Sequence, residues 1–167
     1  MVCAVFLDID GILTDGSVYV DSSGNETKRI QFDDIDAIFK LKRAGIKVGF
    51  ITGEDNEFCQ YIEKRFTPDF FLRGCKDKLD GFKRLAEKNG LDRNNVCYAG
   101  DTERDIELLN YVGFSFVPAD IDAVIKKSAK TVLKASRGQG VIKELVGLIL
   151  KNLEGVVPQV EAMTGDV

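Results

Sequence analysis

The stretch Val2-Cys3-Ala4-Val5-Phe6-Leu7-Asp8-Ile9-Asp10-Gly11 opens the chain and decides its architecture. Residues 2–7 are apolar without interruption, which is what a strand covered on both faces requires. The run then ends in two carboxylates at i and i+2. In an extended chain such positions project to the same side, so Asp8 and Asp10 point together from the strand's mouth. Like charges held that close stay ionised together only when a cation sits between them. Gly11 lets the backbone turn out of the strand at once.

Working outward, residues 17–20 and 27–32 are β-rich pieces around Asp21-Ser22-Ser23-Gly24-Asn25, a turn cluster, and read as a hairpin. Beyond it, amphipathic stretches alternate with short apolar ones. Helices are predicted at 34–44, 54–66, 77–89, 103–111, 121–127 and 139–152. Strands are predicted at 47–52, 70–72, 95–100, 114–117 and 131–133. This alternation predicts an α/β fold: a doubly wound parallel sheet with a small hairpin inserted after the first strand. Its ligand belongs at the carboxyl ends of the strands. Residues 1–153 read as one domain, with the hairpin at about 17–32. Residues 154–167 carry no base and no period, and are expected to form a flexible tail.

Composition removes several chemistries. With no histidine in the chain, Ser-His-Asp triads, Cys-His pairs and His-bearing zinc sites are excluded. Cys3, Cys59, Cys75 and Cys97 form no C-x-x-C pair, so they read as free thiols. Cys59 and Arg65 have the spacing of a cysteine-phosphatase loop, but the residues between them read as helix. No apolar run approaches the ~20 residues that cross a bilayer, and a cytoplasmic protein is expected. Acids outnumber bases 27 to 23, a poor footing for nucleic-acid binding. The six bases between residues 123 and 143 lack any aromatic platform. Attracting an anionic small molecule is the better use of their field.

Further polar groups stand at other strand ends. Asp101, in Gly100-Asp101-Thr102-Glu103-Arg104-Asp105, can join Asp8 and Asp10 from a neighbouring strand, with Asp105 one turn behind it. Oxygen-only donors favour Mg²⁺. Thr52 and Gly53 offer a hydroxyl and free backbone N–H groups. Lys78 stands near the start of a helix whose polar first turn suits a phosphate.

The order D-x-D-G, then T-G, then K, then G-D-x-x-x-D resembles the haloacid dehalogenase phosphatase superfamily. The hairpin after the first motif, the absence of a cap domain and Arg137-Gly138-Gln139-Gly140 resemble its octulosonate 8-phosphate and nonulosonate 9-phosphate phosphatase branch. The resemblance spans residues 2 to about 152. It implies Asp8 as nucleophile and Asp10 as general acid and base. It implies Mg²⁺ held by Asp8, the Asp10 carbonyl and Asp101, with Asp105 orienting neighbours. Thr52, Gly53 and Lys78 would bind the phosphoryl group, and Glu54, Arg137 and Gly138 the sugar acid. It further implies a homotetramer whose hairpins pack together, making Ile30 and Phe32 interface, with a sugar-acid phosphate as small-molecule partner.

Two positions depart from the pattern. Thr102 stands where a second acid is frequent, and Glu54 stands where octulosonate members carry Arg, which resembles the nonulosonate members instead. The rival reading is a catalytically weak module of the same fold, acting as an oligomerisation scaffold beside a CMP-sugar-acid synthetase. Such a module should have lost chemistry-bearing residues, and here the full set is present. A receiver-like signalling domain would need an Asp on a middle strand, where this chain has Thr52.

Overall fold

The apolar run at the start of the chain becomes the middle of a sheet. β1 (Ala4–Leu7) is buried throughout and pairs in parallel with strands on both sides. The computed structural model describes residues 1–154, so the stretch expected as a tail lies outside the described residues, apart from Glu154, which closes the last helix. After β1 come the hairpin strands β2 (Tyr19–Val20) and β3 (Glu26–Thr27), α1 (Phe32–Arg43), β4 (Lys47–Ile51), α2 (Glu57–Phe66) and β5 (Phe70–Leu72). The second half holds α3 (Lys78–Asn89), β6 (Val96–Ala99), α4 (Ile106–Tyr111), β7 (Phe114–Val117), α5 (Ala123–Ser128), β8 (Thr131–Val132) and α6 (Val141–Glu154). The six-stranded sheet has the order β5-β4-β1-β6-β7-β8, and every pairing in it is parallel.

Alternation along the strands divides the core into two layers. Val5 and Leu7 join Val48, Phe50, Cys97 and Ala99 beneath α1, α2 and α6. Ala4 and Phe6 face the other way, with Tyr98, Phe82 from α3, and Leu108 and Leu109 from α4. Gly49 is bare because the Phe6 ring lies against it; a Cβ there would overlap the ring, which also packs on Phe70 and Phe82. Asp34 on α1 accepts from the backbone N–H of Lys143 at 2.8 Å, so one helix caps the start of another.

Several expected boundaries shift for local reasons. α2 starts at Glu57 rather than residue 54 because the Asn56 side chain accepts from the Cys59 N–H. α3 starts at Lys78 because Asp77 caps it through the Asp80 N–H. Residues 103–105 form a 3₁₀ turn before α4, since the Asp105 carboxylate folds back onto the N–H groups of Asp101 and Thr102. The hairpin is short, and its two strands make a separate sheet. Phe32 opens α1 instead of closing the hairpin, and it is 76% exposed. Ile30 pairs with Thr14 and is partly buried against the core.

Candidate active site

The register of the central strands builds the site. Leu7 lies level with Phe50 on β4 and with Ala99 on β6. The residues that follow these strands therefore emerge side by side: Asp8 from β1, Thr52 from β4, Asp101 from β6. The loop after β1 folds on itself, with the N–H groups of Ile12, Leu13 and Thr14 all donating to the Ile9 carbonyl. The buried Thr14 hydroxyl accepts from Gly11 and Gly16, each at 3.2 Å. Gly11 has φ +85°, and a Cβ there would run into the Asp101 carboxylate. The glycine of the first motif thus serves the turn and the close approach of the two strand ends together.

Lys78, on the first turn of α3, is 5% exposed. Its ammonium donates to Asp105 Oδ1 at 2.7 Å and lies 2.8 Å from Asp8 Oδ2. The Tyr98 hydroxyl donates to the same Asp105 oxygen at 2.5 Å. Burial works against the Lys78 charge, but Asp8 and Asp105 outweigh it and raise its pKa. Burial also pushes Asp105 upward, yet Lys78 and Tyr98 together hold it below the usual carboxylate value. Asp8 goes the other way. Its burial dominates, Asp105 and Asp101 repel it, and Lys78 only partly compensates, so its pKa rises to about 8. Asp101 is raised to about 6, by burial first and Asp105 second.

The donor set at these strand ends suits a cation. Oxygens of Asp8, Asp101 and Asp105 lie within 4.8 Å of one another, and Asp101 Oδ1 is buried with no hydrogen-bond partner among the described residues. A hard divalent ion fits such an all-oxygen set, and would return the raised carboxylates to their charged forms.

A cleft of about 390 Å³ opens above this cluster, lined by Asp8, Asp10, Thr52, Gly53, Glu54 and Lys78 together with Thr102, Glu103 and Arg104. Six residues singled out in the sequence thus share one cleft, with Asp101 and Asp105 beneath it. The Thr52 oxygen accepts from the Glu54 N–H at 3.1 Å, which leaves its hydroxyl proton free to donate. Arg137 stands at the edge. It binds Asp120 through its backbone N–H and Nε, at 2.8 and 3.2 Å, and its Nη1 lies 3.6 Å from Asp101. Gly138, at φ +72°, packs against Asp15 and is outside the cleft lining. Cys59 is buried on α2 and Arg65 lies on the same helix, so no phosphate loop forms between them.

Sequence reasoning missed four residues. Lys28, past the hairpin, donates to Asp10 Oδ1 at 2.7 Å and sits 5.1 Å over the Phe58 ring. Tyr98 holds Asp105, Thr14 ties the first loop, and Arg104 lines the cleft. For Arg104 a signal existed, a lone base inside the acidic fourth motif; Lys28 had none.

A doubly wound sheet with carboxylates and a buried lysine at its central strand ends defines a class of phosphate-handling hydrolase, and comparison with known proteins agrees. A model of the haloacid dehalogenase-like hydrolases matches residues 70–145. The chain is 30% identical over 146 residues to 3-deoxy-D-manno-octulosonate 8-phosphate phosphatase KdsC of Escherichia coli K12, covering 87% of this chain and 78% of that protein. The corresponding phosphatase of Moraxella catarrhalis, crystallised with magnesium, phosphate and KDO, superposes with a TM-score of 0.85 at 27% identity, covering 90% of this chain and 86% of that one. The cobalt-bound Haemophilus influenzae enzyme gives 0.84 at 27% identity, covering 90% and 88%. The chain belongs to the haloacid dehalogenase-like hydrolases and is a phosphoric monoester hydrolase. Within that family it is a phosphatase of the KdsC type.

Proposed function

We propose that this enzyme is Mg²⁺-dependent and hydrolyses a 2-keto-3-deoxy sugar-acid phosphate through an aspartyl-phosphate on Asp8. The observation that carries the reading is the buried Asp8–Lys78–Asp105 chain beside an unpartnered Asp101 oxygen. Asp8 attacks phosphorus in line, forming the Asp8 Oδ–P bond as the ester P–O bond breaks. Asp10 gives its proton to the departing alkoxide, then takes one from the water that cleaves the aspartyl-phosphate. Lys78 and the Thr52 hydroxyl hold phosphoryl oxygens as charge shifts onto them. Lys28 fixes the Asp10 carboxylate at the cleft side. Asp8, Asp101 and the Asp10 carbonyl would hold Mg²⁺, with Asp105 behind them. The bound ion supplies the positive charge that lets a carboxylate and a phosphate approach each other.

The substrate class is supported by the octulosonate phosphatases among the relatives and by the bases at residues 126–143. Glu54, exposed on the cleft, can accept from sugar hydroxyls and leans toward a nine-carbon chain. Phosphate release from 8-phosphorylated octulosonate and 9-phosphorylated nonulosonate keto-deoxy acids is expected to exceed release from glucose 6-phosphate by roughly 100-fold in kcat/KM. Equal rates on all three would sink the assignment. The reading also includes a homotetramer, in which copies of the chain cover the exposed Tyr19, Val20 and Phe32 around the hairpin. Light scattering at micromolar concentration should return the mass of four chains, and the mass of one would remove that part.

A further inference from the structure

Arg104 leaves the loop after β6, yet its Nη1 lies 3.6 Å from where a Cβ on Gly53, just past β4, would stand. β4 and β6 flank β1 on opposite sides. The side chain therefore reaches across the mouth of β1, a span of two strand spacings or about 9.5 Å between the flanking strands. That mouth is where Asp8 and Asp10 emerge. The guanidinium lines the cleft beside Gly53.

The other bases near the site are committed. Lys78 is held by Asp8 and Asp105, Lys28 by Asp10, Lys76 by the Gly53 carbonyl and Arg137 by Asp120. Arg104 has no hydrogen-bond or ion-pair partner within range among the described residues. The remaining charged groups on the outer cleft, Asp10, Glu54 and Glu103, are acidic and would repel an anionic leaving group. A phosphate seated at Asp8 already meets Lys78 and Thr52 from below, so the free guanidinium faces what lies outward of it.

We propose that Arg104 is a specificity residue whose guanidinium binds the carboxylate on the leaving group of the substrate. The inference rests on the sugar-acid reading above. A guanidinium presents paired N–H donors that match a carboxylate, and lysine cannot reproduce that fork. A neutral sugar phosphate gains nothing from it.

The test compares wild type with Arg104→Gln and Arg104→Lys on three substrates: the keto-deoxy sugar-acid phosphate that wild type cleaves faster, glucose 6-phosphate and p-nitrophenyl phosphate. For Arg104→Gln, KM for the sugar acid should rise roughly 10-fold or more, with kcat changing less. Kinetics on both uncharged leaving groups should stay within about twofold. Arg104→Lys should recover part of the lost affinity, which loss of a structural contact would not predict. A matching loss on all three substrates would assign Arg104 to the phosphoryl group instead and overturn the proposal. So would an unchanged KM for the sugar acid. A wild type that cleaves no sugar-acid phosphate fails in a different column of the same experiment, and overturns the substrate reading itself together with the role built on it.

Discussion

Asp8→Asn should lower kcat by at least about 10⁴-fold while the protein stays folded, since an amide cannot form the acyl phosphate. The same variant carries a second, less obvious expectation. In the metal-free wild type Asp8 has its pKa raised from the ordinary carboxylate value to about 8, by burial first. An acid whose pKa is raised on folding binds its proton more tightly in the folded state. Its favourable contribution is therefore complete below the unfolded value and is lost as pH climbs toward 8. In EDTA the wild type should lose melting temperature between about pH 5 and 8. Asp8→Asn has nothing to titrate at that position and should lose less. The gap in Tm between variant and wild type should thus widen in the variant's favour with rising pH, and Mg²⁺ should narrow it. Residual Mg²⁺-dependent turnover near wild type would exclude Asp8 as the nucleophile. A gap independent of pH would mean that Asp8 is not strained by its surroundings.

That coupling of lost activity to retained stability follows from how the site is assembled, and it also sets what a sequence can convey. Asp8, Asp10 and Gly11 are legible because their geometry is local: one strand's two-residue period and one turn place them. Thr52 and Asp101 are legible because a buried parallel sheet aligns its strand ends. The pairings across the site are not local. Lys28 meets Asp10 only because the chain beyond the hairpin returns over Phe58, and Tyr98 meets Asp105 only because a 3₁₀ turn folds that carboxylate back. Arg137 looks free in the sequence, but Asp120, at the far side of α5 and β8, occupies it. Where a side chain took the capping place the helix start slipped, by three residues at Asn56 and by one at Asp77, because periodicity reports which face is buried and says little about the first turn.

Lys78→Met tests whether the buried base serves the fold, the chemistry or both. Methionine keeps much of the length and apolar contact of the lysine stem and removes only the charge. Asp105, fully buried, then loses the ammonium 2.7 Å away, and Asp8 loses its only cation within 2.8 Å among the described residues. Breaking a buried ion pair from one side costs about 3–5 kcal/mol, because the abandoned charge has no water to turn to. Urea unfolding in EDTA should register a loss of that order. Activity should fall by a further, separable amount of about 10²–10³ in kcat, as expected when a donor to the transferring group is removed. The two effects part in the double variant Lys78→Met/Asp105→Asn. Neutralising Asp105 removes the stranded charge; the amide oxygen can still accept from the Asp101 and Thr102 N–H groups while its NH2 donates to the Tyr98 oxygen, so stability should largely return while activity does not. If the double variant instead recovers turnover along with stability, Lys78 acts only as a counter-charge within the fold, and the phosphoryl group must draw its positive charge from the metal and from the far side of the cleft.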